Sequence, residues 1–229
     1  MKDDNKDLMK VPIFSFLSED EVKEIRPYLV RQKFRKKEAV FSEGDPPEWF
    51  YILMAGKVKI TKLSQDGREI IIELISPPDF FGGFAVMKGF SYPANAVAME
   101  DSDILKISRP NLLKTIDRFP NIMYEITSSL GERIREFHDT LKNIALERVE
   151  SRIAALLLKL ADKIGEKSKD NSISIDMRLT KQDIAEMVGT TVETTIRVMS
   201  RFKKSGFVAD DGRKIIIKDL EKLKSVGSP

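Results

Sequence analysis

The stretch Leu179–Phe207, LTKQDIAEMVGTTVETTIRVMSRFKKSGF, constrains this chain more than any other. Thr180 stands three residues before Asp183, just ahead of the apolar-periodic run Ile184, Met187 and Val188. That is a capping-box start for a helix. Gly189 then offers the positive φ that ends it. Thr190 with Glu193 repeats the box, and both Thr190 and Thr191 can accept a backbone N–H where a second helix begins. This second helix is expected to bury Val198 and either Ile196 or Phe202, and it carries Arg197, Arg201, Lys203 and Lys204. Two short helices around a tight turn, the second one basic, have the layout of a helix-turn-helix, whose second helix enters the DNA major groove.

The flanks extend this picture. An apolar helix is predicted over Val149–Ile164, then a polar loop, GEKSKDNS, and a short strand, ISIDM. After the motif, FVADDGRKIIIKDL reads as a hairpin turning at Asp211-Gly212, which makes the unit a winged helix. From Glu147 onward there are 17 Lys/Arg against 13 Asp/Glu, a balance of +4, whereas the rest has 22 against 23, or −1. An excess confined to this third suits a nucleic-acid partner, and it equally suits an unevenly charged solvated surface.

Residues 8–32 read as helical, with SEDE as an acidic helix start after Leu17. From about Phe34 to Ser108, short alternating or β-branched runs (AVFSEGD, WFYILMAGKVKITKL, SQDGREIIIELISPPD, FFGGFAV, ANAVAMEDSDILKIS) are broken by Gly, Pro and Asp. Asp66-Gly67 marks a hairpin, and the spacing predicts an antiparallel roll, barrel or sandwich. Over 121–144 the period becomes helical. Met123, Thr127, Leu130, Ile134, Phe137, Leu141 and Ile144 alternate spacings of four and three, a heptad seam. Such a seam serves a dimer interface or packing against the chain's own β-domain. A hinge is expected at Ile144–Glu147. The chain thus divides into a β-rich part with N-terminal helices (1–120), a long helix with hinge (121–145) and a winged helix (146–229), which the family resemblance given below makes the sensor, the dimerisation helix and the DNA-binding domain.

Composition closes several routes. The 229 residues contain no cysteine, which excludes disulfides, thiolate catalysis and cysteine-held zinc or iron–sulfur clusters. His138 is the single histidine, so a multi-histidine metal site is excluded too. No apolar run approaches the roughly 20 residues that span a bilayer, and the start, MKDDNKDLMK, lacks a signal-peptide core. A cytoplasmic protein without a membrane partner is expected. No nucleophile–base pair or phosphate-cradling Gly-rich loop appears in the right context, so no enzyme activity is expected.

Taken in order, PIFSFLSEDE, FSEGDPPEWFYILMAGKVKI, the DGRE hairpin, ISPPDFFGG and Leu179–Phe207 resemble the CRP/FNR family of bacterial transcription regulators from about Phe14 to Leu220. The resemblance implies an α+β chain with an N-terminal cyclic-nucleotide-binding-type β-roll, a long dimerisation helix and a C-terminal winged helix-turn-helix. It also implies a homodimer on double-stranded DNA working with RNA polymerase, commonly as an activator. The runner-up is a regulatory module of another complex that reads no DNA. The family's base-facing positions match Val192, Glu193, Ile196 and Arg197. A Glu carboxylate accepts from cytosine N4, and an Arg guanidinium binds guanine O6 and N7. At spacing i,i+4 the two also suit a plain surface ion pair. Val192 is the FNR-branch residue, whereas Ile196 stands where that branch usually has Ser, so a palindrome with TTG-type half-sites is expected. Thr191, Lys181, Gln182, Arg201, Lys203 and Lys204 are assigned to phosphate.

Cyclic-nucleotide-binding relatives place a Glu and an Arg-Ser-Ala around the cyclic phosphate. Here Gly83 replaces the Glu, Tyr92 the Arg and Pro93 the Ser, with Ala94 kept. Burying the phosphate without a cation costs several kcal/mol, roughly, so cAMP and cGMP are not expected to bind. Control by another effector is expected, with haem, nitric oxide or redox chemistry as options. Phe81, Gly82, Gly83, Phe84, Tyr92, Pro93, Ala94, Phe137 and His138 form the candidate effector region. Haem with His138 as axial ligand is one reading; an aromatic core with a solvent-facing histidine is the other.

Overall fold

The computed structural model describes residues 3–168, 170–212 and 214–227. Lys169 of the predicted polar loop and Arg213 of the predicted hairpin lie outside the described residues. The chain forms two compact units, one up to Arg135 and one from Glu136 onward.

In the first unit α1 (Asp3–Leu8) and α2 (Glu19–Ile25) precede the strands. Ser18 and Glu21 close a capping box on α2: the Glu21 N–H donates to Ser18 Oγ at 3.3 Å and the Ser18 N–H to Glu21 Oε2 at 2.8 Å. The helical reading does not extend to residue 32. Pro27 sits in a separate turn, Arg26–Tyr28, and Leu29 opens a strand. Proline has no N–H to continue a helix, and the next residues find their partners across a sheet instead. The strands are β1 (Leu29–Phe34), β2 (Ala39–Phe41), β3 (Trp49–Ala55), β4 (Val58–Leu63), β5 (Glu69–Ile75) and β6 (Asp79–Phe81). After them come α3 (Gly83–Lys88), β7 (Asn95–Ala98), β8 (Ser102–Ser108) and α4 (Arg109–Arg118).

Two antiparallel four-stranded sheets result, ordered β1-β8-β3-β6 and β2-β7-β4-β5. Phe50, Ile52, Val58, Ile75, Ala96 and Ile104 are fully buried in the core that the two sheets and the helices packed on them share. The hairpin predicted at Asp66-Gly67 joins β4 to β5 with Leu63 opposite Glu69, and Gly67 has φ 78°. Two segments depart from the expectation. FFGGFAV is extended only to Phe81 and then becomes α3, because its short apolar run suits either state and Gly83 and Val86, three residues apart, are buried on one helix face. The helix α4, started by Pro110, was not anticipated.

The long helix α5 spans Asn121–Leu146. It carries two apolar stripes. Ile122 and Ile126 are buried in the β-roll core, with Leu130 packed partly against it. Leu130 therefore belongs as much to the core as to the seam. Arg133 anchors the same side: its Nη1 lies 2.9 Å from Glu73, and its Nη2 donates to Asp79 at 2.9 Å and to the Phe80 carbonyl at 2.7 Å. The other stripe, Met123, Ile134, Phe137, Leu141 and Ile144, is exposed.

In the second unit α6 (Val149–Ile164) follows a break at Glu147–Arg148. Glu136 spans that break, pairing with Lys159 at 2.7 Å and Lys163 at 2.8 Å. Burial pushes the Glu136 carboxyl up, but the two lysines outweigh it and hold the group below the usual range. Next come β9 (Gly165–Lys167), β10 (Ile173–Ile175), α7 (Lys181–Val188), α8 (Val192–Lys204), β11 (Val208–Asp210), β12 (Ile215–Ile217) and α9 (Leu220–Gly227). The strand β9 begins inside the segment expected to be a polar loop, because it pairs with β10 from Lys167↔Ile173 to Gly165↔Ile175. The expected wing forms as β11–β12 within the sheet β11-β12-β10-β9. Ile153, Leu157, Ile184, Val198, Phe202, Ile217 and Leu223 are among the buried side chains beneath it.

Candidate DNA-binding interface

The capping box expected at Thr180 closes. Thr180 Oγ1 accepts from the Asp183 N–H at 3.0 Å, and the Thr180 N–H donates to Asp183 Oδ2 at 2.8 Å. A helix N-cap of this kind is worth about 1 kcal/mol. Thr180→Ala is therefore expected to lower unfolding stability by about that amount, read by urea denaturation of the full chain; an unchanged midpoint would show the cap to be idle. Gly189 ends α7 at φ 64°, and the N–H groups of Gly189 and Thr190 both donate to the Ala185 carbonyl. The second cap differs from the expected pair. Thr191, not Thr190 with Glu193, stands at the N-cap, accepting from the Thr194 N–H at 3.2 Å.

This geometry sets which face of α8 looks outward. Thr195, Val198, Met199 and Phe202 point inward and are buried. Glu193, Ile196, Arg197, Ser200, Arg201, Lys203 and Lys204 are exposed, with Val192 half-buried at the helix start. Phe202, not Ile196, thus joins Val198 in the core, and so does Met199. Ile196 is 51% exposed. Ser200 was missed in the sequence, although it lies seven residues after Glu193 on the same face. Glu193 and Arg197 do not pair with each other; among the described residues neither has an ion pair, nor does Lys204.

The other expected contacts are already engaged within the unit. Arg201 Nη1 lies 2.8 Å from Glu150 Oε2 at the start of α6. Lys203 pairs with Asp210 on β11. Gln182 Nε2 donates to Glu186 at 2.6 Å. Lys181 is half-buried, and burial together with the nearby Lys203 charge pulls its ammonium below the usual lysine range. Nothing local in the sequence signals Glu150 or Asp210 as partners, since only the fold brings them near α8.

Within the first unit, the candidate effector residues Phe81, Gly82 and Tyr92 lie together in an aromatic cluster with Phe41 and Tyr51. Phe81, Tyr92 and Ala94 are buried, whereas Phe84 and Pro93 are exposed. Phe41 stacks on Tyr92 at 3.9 Å, Tyr51 on Phe81 at 5.2 Å, and the Tyr92 hydroxyl donates to the Trp49 carbonyl. Burial pushes the Tyr92 phenol up. A Cβ on Gly82 would come within 3.3 Å of Tyr51 and Tyr92, and one on Gly83 within 2.7 Å of the Phe50 ring. The aromatic-core reading describes Phe81 and Tyr92. Phe137 and His138 are exposed on α5. Among the described residues no three His, Cys, Asp or Glu side chains gather as a group that could hold a metal ion.

Comparison with known proteins assigns this architecture. Residues 31–119 match the cyclic nucleotide-binding domain family, and residues 151–226 match the Crp-like helix-turn-helix domain family. The chain is 27% identical over 216 residues to a CRP-like cAMP-activated global transcriptional regulator of Mycobacterium tuberculosis, covering 94% of this chain and 96% of that one. It is 26% identical over 215 residues to the fumarate and nitrate reduction regulatory protein of Yersinia pestis, covering 93% and 85%. The protein belongs to the CRP/FNR family. The CRP/FNR fold is shared with FixK2 from Bradyrhizobium japonicum, with a TM-score of 0.78 at 23% identity over 88% of this chain and 98% of that one. This CRP/FNR member is a DNA-binding transcription regulator, and its relatives are transcription regulators rather than enzymes. No helix among its described residues is long and apolar enough to cross a membrane.

Proposed function

We propose that this regulator is a homodimer that reads a palindrome of TTG-type half-sites through Val192, Glu193, Ile196 and Arg197. The outward face of α8 carries the reading. An acceptor (Glu193), a methyl-bearing side chain (Ile196) and a bidentate donor (Arg197) stand exposed there without internal ion-pair partners among the described residues. These match the chemistry of cytosine N4, the thymine methyl and the guanine edge. The exposed stripe of α5 supports pairing with a second copy, which places two recognition helices about 34 Å apart, one DNA turn. The functional segments are 1–120, 121–145 and 146–229, with a hinge at Ile144–Glu147. The cytoplasm is the proposed location and RNA polymerase the proposed partner. Selection from a random duplex library with the full chain is expected to enrich a two-half-site palindrome; enrichment of a single half-site, or of no common sequence, overturns the reading.

The controlling effector is proposed to be something other than cAMP. Two features support this: Tyr92 is bonded to the backbone where a cation would be needed, and Gly83 is pressed against Phe50 where a carboxylate would be needed. Calorimetric titration with cAMP and cGMP is expected to show no saturable binding up to millimolar ligand. Added haem is expected to give no protein-bound Soret band. A saturable isotherm, or a shifted Soret band lost in His138→Ala, would reverse these expectations.

A further inference from the structure

We propose that Glu150 and Asp210 are specificity-determining residues: each holds a cation of the DNA-facing surface in an internal ion pair and so limits binding to arbitrary sequence. The inference rests on the reading that the outward face of α8 meets DNA. Of the cations on that helix, Arg201 is held by Glu150 at 2.8 Å and Lys203 by Asp210, while Arg197 and Lys204 have no ion pair among the described residues. Arg197 sits among the base-facing positions, whereas Arg201, Lys203 and Lys204 lie in the last turn of the helix, where phosphate contacts carry no sequence information; two of those three cations are held, which leaves Lys204 for phosphate. A guanidinium paired with a carboxylate releases no counterion when it approaches phosphate, so it adds little to sequence-independent affinity. Glu150 lies in the first turn of α6 and Asp210 on β11, both rigid elements of the same compact unit, so each carboxylate is fixed in place.

Fluorescence anisotropy with the full chain tests this on two labelled duplexes of equal length, one a TTG-type palindrome and one scrambled. Glu150→Gln is expected to tighten scrambled-duplex binding by about eightfold at 0.1 M salt and to steepen the slope of log K against log salt by about 0.9, the value for one added phosphate contact. Asp210→Asn is expected to act in the same direction. Adding Arg201→Gln to Glu150→Gln should abolish the gain, which a general change in stability would not do. Weaker scrambled-duplex binding, or an unchanged slope, in Glu150→Gln and Asp210→Asn overturns the proposal and makes the carboxylates aids to positioning. The underlying reading is tested separately by Arg197→Ala and Lys204→Ala in the native background. If neither weakens binding to either duplex, the outward face of α8 is not the DNA surface.

Discussion

Ile134→Asp combined with Leu141→Asp is expected to leave a folded monomer that no longer holds a palindromic duplex. Each of these side chains is 54% exposed on α5. They lie seven residues apart, with Phe137 between them 52% exposed on the same stripe. Covering the exposed half of one such aliphatic side chain contributes about 1 kcal/mol, and a twofold interface uses every substituted position twice. A carboxylate placed there adds the cost of desolvating a charge. Loss of the partner also removes the second half-site, and linking two sites raises apparent affinity by about 10²–10⁴. Sedimentation equilibrium reads the mass, and thermal melting by circular dichroism shows that the units still fold. The opposite stripe, Ile122 and Ile126, is untouched, so α5 keeps its hold on the β-roll core. A dimer that survives both substitutions in a cooperatively melting protein would place the interface elsewhere.

Arg197→Ala is expected to cost about 1–3 kcal/mol on the cognate palindrome, or roughly 5- to 150-fold in affinity, and to relax discrimination at one base pair of each half-site. The guanidinium stands exposed without an ion pair among the described residues, so its removal breaks little inside the fold. Competition binding against duplexes with each half-site base pair replaced in turn separates the roles. A base-reading arginine loses preference at one position only. A phosphate contact weakens all duplexes alike and lowers the salt slope by about 0.9. Uniform weakening would therefore move Arg197 to the phosphate group and leave Glu193 and Ile196 to carry the sequence reading.

Much of this architecture was legible because its signals are local. The Thr180–Asp183 box, the Gly189 stop, the Asp66-Gly67 turn and the heptad spacing from Met123 to Ile144 each depend on residues within a turn or two of one another. Short-range rules fared worse where two local states compete. FFGGFAV reads equally as strand or helix, and burial of Gly83 and Val86 on one face decided for α3. Thr190 and Thr191 are both good caps, and the course of the turn chose Thr191. The segment after Tyr28 has no strong strand pattern, and β1 exists because β8 is there to pair with it.

By itself the sequence determined the two kinds of domain, the order of their elements and the chemical menu of α8, since periodicity, caps and turn residues act through the chain's nearest neighbours. Only the tertiary structure decided which members of that menu remain free. It turned Ile196 outward and Phe202 inward, tied Arg201 to Glu150 across 51 residues, and packed Tyr92 against Phe41 and Trp49. Those outcomes depend on pairing and packing between segments far apart in the chain, where distance in sequence carries no information about distance in space.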